Sequence, residues 1–421
     1  MADENSGSMT WFKQLKYLGP GLLVAATGVG AGDLVAASVG GANFGYTVLW
    51  SALLGALFKY ALNEGVARWQ LDSGKTIIEG WRYYFPAWVS YYFLVYLVIW
   101  SFIVGAALSG AVGLAAHAIF PIFSVAVWGI IHAVLAFFLV LFFKYSFFEK
   151  IMKLLIIFMF SLVIINTILS QPDWLQVWKG ISFIKIPKGS IWLILGIIGG
   201  VGGSVTILSY AYWIREKNWT HKEDMKKVKI DLIIAYLLTA FFGLAVMVIA
   251  ADVKPEAISG NKMVLSLAEK IGETSGYFGE WVFLLGFWAA VFSSMLGVWQ
   301  GVPFLFADFM QIKNKSSVSD ATLPKVESSK NVIQQKYYRY FLFFLAFPPL
   351  VLLFLQKPVW IIISYAVIGS FFMPFLAFTL YYLNNKHNKY LKAPRYINIL
   401  LVLAFLLFAF LMGFKIYNML L

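Results

Sequence analysis

Asp33 is a carboxylate well inside the first long apolar segment, residues 18–43, and glycines at positions 28, 30 and 32 precede it. A charge at membrane depth is destabilising by roughly 2.5–3.5 kcal/mol on insertion scales, so an intramembrane carboxylate usually has a functional role. Glycines at every second position disfavour a continuous helix. Close packing of helices through small residues would explain the glycines alone, but not Asp33. We therefore predict a broken helix whose freed backbone groups and carboxylate form a substrate or ion site.

The composition is that of an integral membrane protein. The chain has 421 residues, of which 61% are hydrophobic and 13% charged, whereas soluble domains have about 25% charged residues. The apolar segments are long runs, which indicates helices and an all-α fold instead of a barrel. The absence of cysteine excludes disulfides and thiolate ligands. No phosphate-binding loop or soluble catalytic domain is recognisable, so we expect neither an enzyme nor a cofactor.

Eleven apolar segments are each about long enough to cross ~30 Å of hydrocarbon. Their approximate limits are 18–43, 46–70, 88–118, 122–143, 148–170, 190–213, 230–251, 278–307, 338–356, 358–384 and 396–419. We number these predicted spans one to eleven.

Successive loops are alternately rich and poor in lysine and arginine, and the loops on one side of the membrane contain about three times as many of these residues as those on the other. This bias predicts a cytoplasmic N-terminus, residues 1–17, and an outer C-terminus. The polar stretch 311–335 is expected to be a cytoplasmic linker. The net charge of +13 is then an orientation signal and not a nucleic-acid surface. We expect a multi-pass protein of a plasma or bacterial inner membrane, with the lipid bilayer as partner and no obligate protein partner.

The sixth span repeats the pattern of the first. Its middle reads Gly-Gly-Val-Gly-Gly-Ser-Val-Thr from Gly199 to Thr206. Because the two spans are five apart, they cross in opposite directions, which is the signature of an inverted repeat. We predict repeats at 18–170 and 190–384, with 396–421 added. Glycine-broken segments at corresponding positions point to a transporter's binding site at the membrane midplane.

The chemistry available at the two breaks is that of oxygen. Ser204, Thr206 and Ser209 contribute hydroxyls, and carbonyls around 199–203 would be freed from helical bonds. Together with Asp33 this is a hard-oxygen set, suited to Mg²⁺, Ca²⁺ or Mn²⁺. The same groups could hold an ammonium, with helix N-termini for a carboxylate, as in amino-acid carriers. A scaffold that transports nothing is a third possibility.

Six further polar side chains inside spans are candidates for a gate or pathway: Lys59, Asn63, Glu64, His132, Ser293 and Ser294. Lys59 and Glu64 could form a buried pair or gate, although snorkelling to the cytoplasmic face is the simpler expectation. His132 could carry protons or be a hydrogen-bonded structural residue. The two serines could face the cavity or bond to their own helix.

Three stretches resemble the opening of Nramp-type divalent metal transporters: Leu18 to Ala25, Gly28 to Asp33, and Gly40 to Tyr46 with Leu49 and Trp50. The resemblance implies a leucine-transporter-like 5+5 inverted repeat with one extra helix, spans one and six broken, and a divalent metal ion as the transported substrate.

Two departures from that family alter the implied site. The family's Asp-Pro-Gly-Asn aligns with Gly30, Ala31, Gly32 and Asp33, so the carboxylate has shifted by three positions. The family's Met-Pro-His aligns with Gly203, Ser204 and Val205, which removes the thioether and the histidine linked to proton transfer.

The substitutions imply a larger site for a harder ion. With Gly200 and Gly203 in place of bulky residues, a partly hydrated ion could fit, as in the Nramp-related magnesium transporters that the chain resembles. The implied site residues are Asp33, Gly30, Gly32, Gly200, Gly203, Ser204 and Thr206. Weak or absent proton coupling is expected, since the third span also lacks acidic residues.

Overall fold

Helices form the secondary structure of the described part of the chain, which a computed structural model defines for residues 19–200, 202–253, 262–314, 335–355 and 358–420. The predicted all-helical class is confirmed, since these residues contain no strand. The predicted N-terminal segment 1–17 and most of the predicted linker 311–335 lie outside the described residues.

The described residues of the first half of the chain contain eight α-helices. They are α1 Pro20–Gly28, α2 Ala31–Phe44, α3 Trp50–Ser73, α4 Ile77–Tyr84, α5 Ala87–Ile119, α6 Val125–Phe142, α7 Tyr145–Leu169 and α8 Trp174–Ser182.

The second half contributes seven more in the residues described. They are α9 Ile191–Gly200, α10 Tyr210–Glu216, α11 Met225–Val253, α12 Lys262–Asn314, α13 Lys336–Ala346, α14 Pro358–Lys386 and α15 Arg395–Leu420. A 3₁₀ turn at Val205–Ser209 leads into α10, and another at Pro348–Leu355 follows α13. Helix α12 is kinked at Gly276, whose φ is +70°.

Helices α1 and α9, which begin the two predicted broken spans, are too short to cross a bilayer alone. Helix α1 has 9 residues and α9 has 10, so at 1.5 Å per residue each spans about 15 Å, half of the hydrocarbon thickness. Each ends at a glycine-rich break, after Gly28 and after Gly200. The predicted breaks in spans one and six are therefore confirmed.

Eight helical segments in the described ranges are long and apolar enough to span a membrane, and one of them, Leu193–Glu216, runs from α9 through the break into α10. Helices α2 and α3 are joined by a bend of 107°, which matches the tight connection between the first two predicted spans. The total of eleven spans stays a prediction, as do the repeat boundaries.

The helix packing has the pairing that an inverted repeat requires. Span five packs on span eight through α7 and α12, and the corresponding spans ten and three pack through α14 and α5. Likewise α1 packs on α11, and its counterpart α9 packs on α3. The two broken spans are thereby held at equivalent places in the two repeats.

Candidate functional site

The two breaks touch each other at the centre of the molecule. A Cβ atom built on Gly28 would lie 2.9 Å from the carbonyl carbon of Gly202, and one on Gly203 would lie 3.5 Å from the Cα of Gly28. Side chains at either position would hold the two backbones apart. The glycines of both spans are therefore needed for the contact that brings the freed backbone groups together.

The break in the sixth span depends on left-handed backbone. Gly202 has φ +86° and Gly203 has φ +79°, a region that glycine adopts without strain. A Cβ on Gly202 would also meet the ring of Tyr236 at 2.9 Å. Conformation and space both select glycine at position 202.

Asp231 on α11 caps the N-terminus of the half-helix α1. Its carboxylate accepts hydrogen bonds from the N–H of Gly21 at 2.6 Å, the N–H of Gly19 at 3.3 Å and the hydroxyl of Tyr210 at 3.0 Å. The side chain is 1% exposed. A buried carboxylate at a helix N-terminus is stabilised by the unsatisfied N–H groups and the helix dipole, so Asp231 fixes one end of α1 to α11.

Changing Asp231 to asparagine should loosen this end of α1. Loss of a charged hydrogen-bond acceptor is worth about 1.5–3 kcal/mol, which favours opening on the predicted cytoplasmic side. The chain has no native cysteine. Ser209 is fully buried in the half of span six that lies toward the predicted cytoplasmic side, so Ser209→Cys provides a single labelling site. Maleimide labelling should be several-fold faster with Asp231→Asn. The exposed outer cap Asp173, changed to asparagine, should leave the rate unchanged; equal rates in all three proteins would contradict this role.

Ser293 and Ser294 on α12 form hydrogen bonds with the C-terminal end of α1. The hydroxyl of Ser293 donates to the carbonyl oxygen of Ala26 at 3.1 Å, and that of Ser294 donates to Thr27 at 2.8 Å. Ser293 also lies 3.0 Å from the carbonyl of Ala290 in its own helix. These serines thus satisfy carbonyl groups that the break leaves without helical partners.

Replacing both serines by alanine should therefore destabilise the first break. Each lost hydrogen bond is worth about 0.5–1.5 kcal/mol, so the melting temperature of the detergent-solubilised protein should fall measurably. Ser161→Ala on α7, an exposed position, is the matched control. A double variant that melts with the control would contradict the capping role.

Lys59 on α3 reaches into the second break. Its side chain is 0% exposed, and its ammonium donates to the carbonyl oxygen of Gly199 at 3.1 Å and to that of Gly203. The expectation that Lys59 snorkels to the cytoplasmic face is wrong, because the end of α9 offers buried carbonyl acceptors closer by. The proposed gate residue lies within the candidate site itself.

Glu64 does not pair with Lys59. It forms a buried ion pair with Arg68, four residues later on α3, and Arg68 also donates to the carbonyl of Lys392 at 3.0 Å. The alternative of a Lys59–Glu64 pair is therefore also wrong: helical spacing aligns Glu64 with Arg68. Asn63 donates to the hydroxyl of Tyr236 at 3.1 Å, beside Gly202.

The hydroxyls of Ser204 and Thr206 lie at the start of the resumed helix in span six. Both residues are 5% exposed. The Oγ of Ser204 has no hydrogen-bond partner among the described residues and faces Gly369 of α14, where a Cβ would lie 3.1 Å away. A buried hydroxyl with spare acceptor capacity is suited to a ligand.

The residues predicted in the first span surround its break. Gly30 faces Ser294, with 2.9 Å between a built Cβ and the serine oxygen. Gly32 is buried, and Asp33 belongs to the first turn of α2; the side chain of Asp33 lies outside the described part. Gly200 ends α9. In the described part no three His, Asp or Glu side chains lie together as potential metal ligands.

His132 lies between α6 and α12, away from the breaks. Its Nε2 accepts from the indole N–H of Trp288 at 3.0 Å, and its Nδ1 contacts the carbonyl of Trp128 at 2.8 Å. This arrangement requires the neutral tautomer with hydrogen on Nδ1. With both ring nitrogens engaged, the geometry favours the structural interpretation of His132 over a proton carrier.

Two residues of the site were not predicted. Asp231 is a carboxylate near the start of the seventh predicted span, and the rule applied to Asp33 would have singled it out. Tyr236, one helical turn and a residue further on, closes the space beside Gly202. No sequence signal distinguishes this tyrosine from the many others in the chain.

Known proteins with similar sequences and folds include metal transporters. A sequence profile of the family described as natural resistance-associated macrophage protein-like matches residues 21–421. The divalent metal cation transporter MntH of Nostoc sp. is 26% identical over 282 residues, which cover 63% of this chain and 61% of that protein. MntH of Staphylococcus aureus is 30% identical over 225 residues, which cover 52% of this chain and 49% of that protein. The chain thus spans about half to three fifths of the length of these curated relatives.

A solved structure supports the fold. A mutant of the manganese transporter from Eremococcus coleocola matches with a TM-score of 0.73 at 17% sequence identity. The match covers 98% of this chain and 87% of that one. At this identity the likeness is one of fold.

Proposed function

Because the chain belongs to the natural resistance-associated macrophage protein-like (Nramp) family, we propose that it carries a divalent metal cation across the membrane by alternating access. The observation that carries this proposal is the contact of Gly28 with Gly202. It joins two half-helix ends in a buried, oxygen-rich centre between the repeats, which is the arrangement of substrate sites in transporters built from inverted repeats.

The substrate ion would be held by seven residues at this centre. They are Asp33, Gly30, Gly32, Gly200, Gly203, Ser204 and Thr206. Asp33 supplies the charge at the N-terminus of α2, and the others supply carbonyl or hydroxyl oxygens or the space for retained water. An all-oxygen set with a glycine in place of the family's methionine suits Mg²⁺ or Mn²⁺ better than softer ions.

Two features outside these seven residues support transport with little or no proton coupling. Helix α5 has no acidic residue, and the ring nitrogens of His132 are engaged between α6 and α12. The metal is substrate and not cofactor, and the protein is no enzyme. We place the N-terminus in the cytoplasm and the C-terminus outside, in a plasma or bacterial inner membrane, on the charge bias of the loops.

A small organic solute, such as an amino acid, is the second candidate substrate. It is favoured by Lys59, whose ammonium already binds the carbonyl oxygens of Gly199 and Gly203. With these acceptors bound by a protein cation, the N-terminal ends of the resumed helices would be left for a substrate carboxylate.

A ligand-stabilisation experiment separates the two candidates. The purified protein is melted with Mg²⁺, Mn²⁺, Ca²⁺ and a panel of the twenty amino acids. A ligand of the native state adds about 2.7 kcal/mol of stability at a hundredfold excess over Kd. We expect Mn²⁺ or Mg²⁺ to raise the melting temperature by several degrees. Stabilisation by an amino acid with no response to any metal would replace metal transport with solute transport.

A further inference from the structure

We propose that Lys59 is a tethered cation that fills the span-six half of the metal site between transport events and leaves it when the metal binds. This inference rests on the proposed function. It assigns to one buried lysine a role in closing the empty carrier.

The ammonium of Lys59 lies where a cation ligand shell would be. It donates to the carbonyl oxygens of Gly199 and Gly203, which come from either side of the break and meet at one nitrogen. Gly199 belongs to the last turn of α9, whose free carbonyls carry partial negative charge. The left-handed Gly203 adds the second oxygen. Two backbone oxygens converging on one positive atom is the geometry by which a broken helix holds an ion.

The metal and the ammonium exclude each other at these oxygens. A Mg²⁺ ion requires its oxygens at about 2.0–2.1 Å, and an ammonium donates to the same oxygens at hydrogen-bond distance. Any metal bound by both carbonyls would lie almost on top of the Lys59 nitrogen. The repulsion of two cations at such a distance in a buried site is prohibitive. The charged lysine must therefore move away, which its flexible four-carbon stem permits.

The aliphatic stem of Lys59 lies beside the unwound segment of span six. A Cβ on Gly202 would lie 3.4 Å from the Cγ of Lys59 and 2.9 Å from the ring of Tyr236. The lysine stem and the tyrosine ring thus flank the unwound segment. Asn63, one turn along α3 from Lys59, donates to the Tyr236 hydroxyl at 3.1 Å. A side chain at position 202 would therefore contact both the stem of Lys59 and the ring of Tyr236.

A tethered cation has a specific consequence for the transport cycle. With Lys59 in place, the buried carbonyls of the empty carrier have a donor, so the empty form can close and return. Without the ammonium, these carbonyls would be buried with fewer partners, which disfavours closure. Net uptake needs the empty return step, whereas exchange of internal for external metal does not. Removing Lys59 should therefore separate the two activities.

The test measures Mn²⁺ binding by calorimetry, and net uptake and exchange in proteoliposomes, for the wild type, Lys59→Met and Lys59→Gln. Lys75→Met, whose ammonium lies over the Tyr83 ring at the surface, is the matched control. If the lysine holds the site in most empty molecules, removing it should tighten the apparent Kd by about ten- to a hundredfold. Net uptake should fall at least severalfold while exchange is retained, and the control should match the wild type.

Two results would overturn the proposal. One is a folded Lys59→Met protein that binds Mn²⁺ no more tightly than the wild type. The other is a loss of net uptake and exchange in equal measure. If Lys59→Met does not fold, Lys59→Gln, which keeps side-chain N–H donors without the charge, decides by the same criteria. A wild type and variants that all fail to bind and transport any divalent metal would instead overturn the proposed function.

Discussion

Replacing Asp33 by asparagine is expected to weaken Mn²⁺ binding at least about a hundredfold, because residues that merely support metal ligands already contribute about ten- to a hundredfold. Asp33 is the one carboxylate among the proposed ligands. Asparagine retains the size and one oxygen but removes the charge that balances the ion. Calorimetric titration of the purified protein with Mn²⁺ and Mg²⁺ measures the effect.

The matched control for Asp33 is Asp173→Asn, which changes an exposed carboxylate that caps α8 on the predicted outer surface. This control should bind metal as the wild type does. An Asp33→Asn protein that keeps the wild-type Kd would show that the shifted carboxylate is not a ligand, and the metal site would then have to be sought elsewhere.

Replacing Gly202 by alanine is expected to destabilise the protein strongly and to abolish transport. The left-handed conformation is disfavoured for alanine by about 1–2 kcal/mol, and overpacking against Tyr236 adds about 1–3 kcal/mol. The new Cβ would lie 2.9 Å from the tyrosine ring and 3.4 Å from the Cγ of Lys59. A melting curve in detergent should show a decrease of several degrees.

Gly196→Ala provides the control within the same span. A Cβ at Gly196 meets no atom within 4 Å, and the residue lies within α9, where alanine is the better helix former by about 1 kcal/mol. Its melting temperature should equal or slightly exceed that of the wild type. If the two alanine variants melt together, the break is not held in the conformation described.

Periodicity and composition predicted the architecture because the bilayer imposes few solutions. Long apolar runs must become helices, and the glycine clusters at 28–32 and 199–203 could interrupt them only where the backbone lines an interior. The matching positions of the two clusters predicted an inverted arrangement, which the pairing of α7 with α12 and of α14 with α5 reproduces.

The partners of individual polar side chains could not be predicted in the same way. Whether Lys59 reaches water, Glu64 or the end of α9 depends on the rotation of α3 against α9, which hydrophobic pattern leaves open. In the structure Lys59 donates to the carbonyl oxygens of Gly199 and Gly203. Similarly, the sequence is equally consistent with Ser293 and Ser294 facing the cavity or bonding to their own helix. Only the position of α1 shows that their hydroxyls donate to the carbonyl oxygens of Ala26 and Thr27.

The central claim, that the chain carries a divalent cation through the meeting point of its two broken spans, is tested most directly by metal flux. Uptake of Mn²⁺ and of Mg²⁺ is measured side by side in proteoliposomes with wild-type protein, with Asp33→Asn and with no protein. We expect wild-type uptake of at least one ion well above empty liposomes, and uptake by Asp33→Asn at the level of empty liposomes. Wild-type vesicles that take up neither ion, or an Asp33→Asn protein that transports at the wild-type rate, would contradict the account.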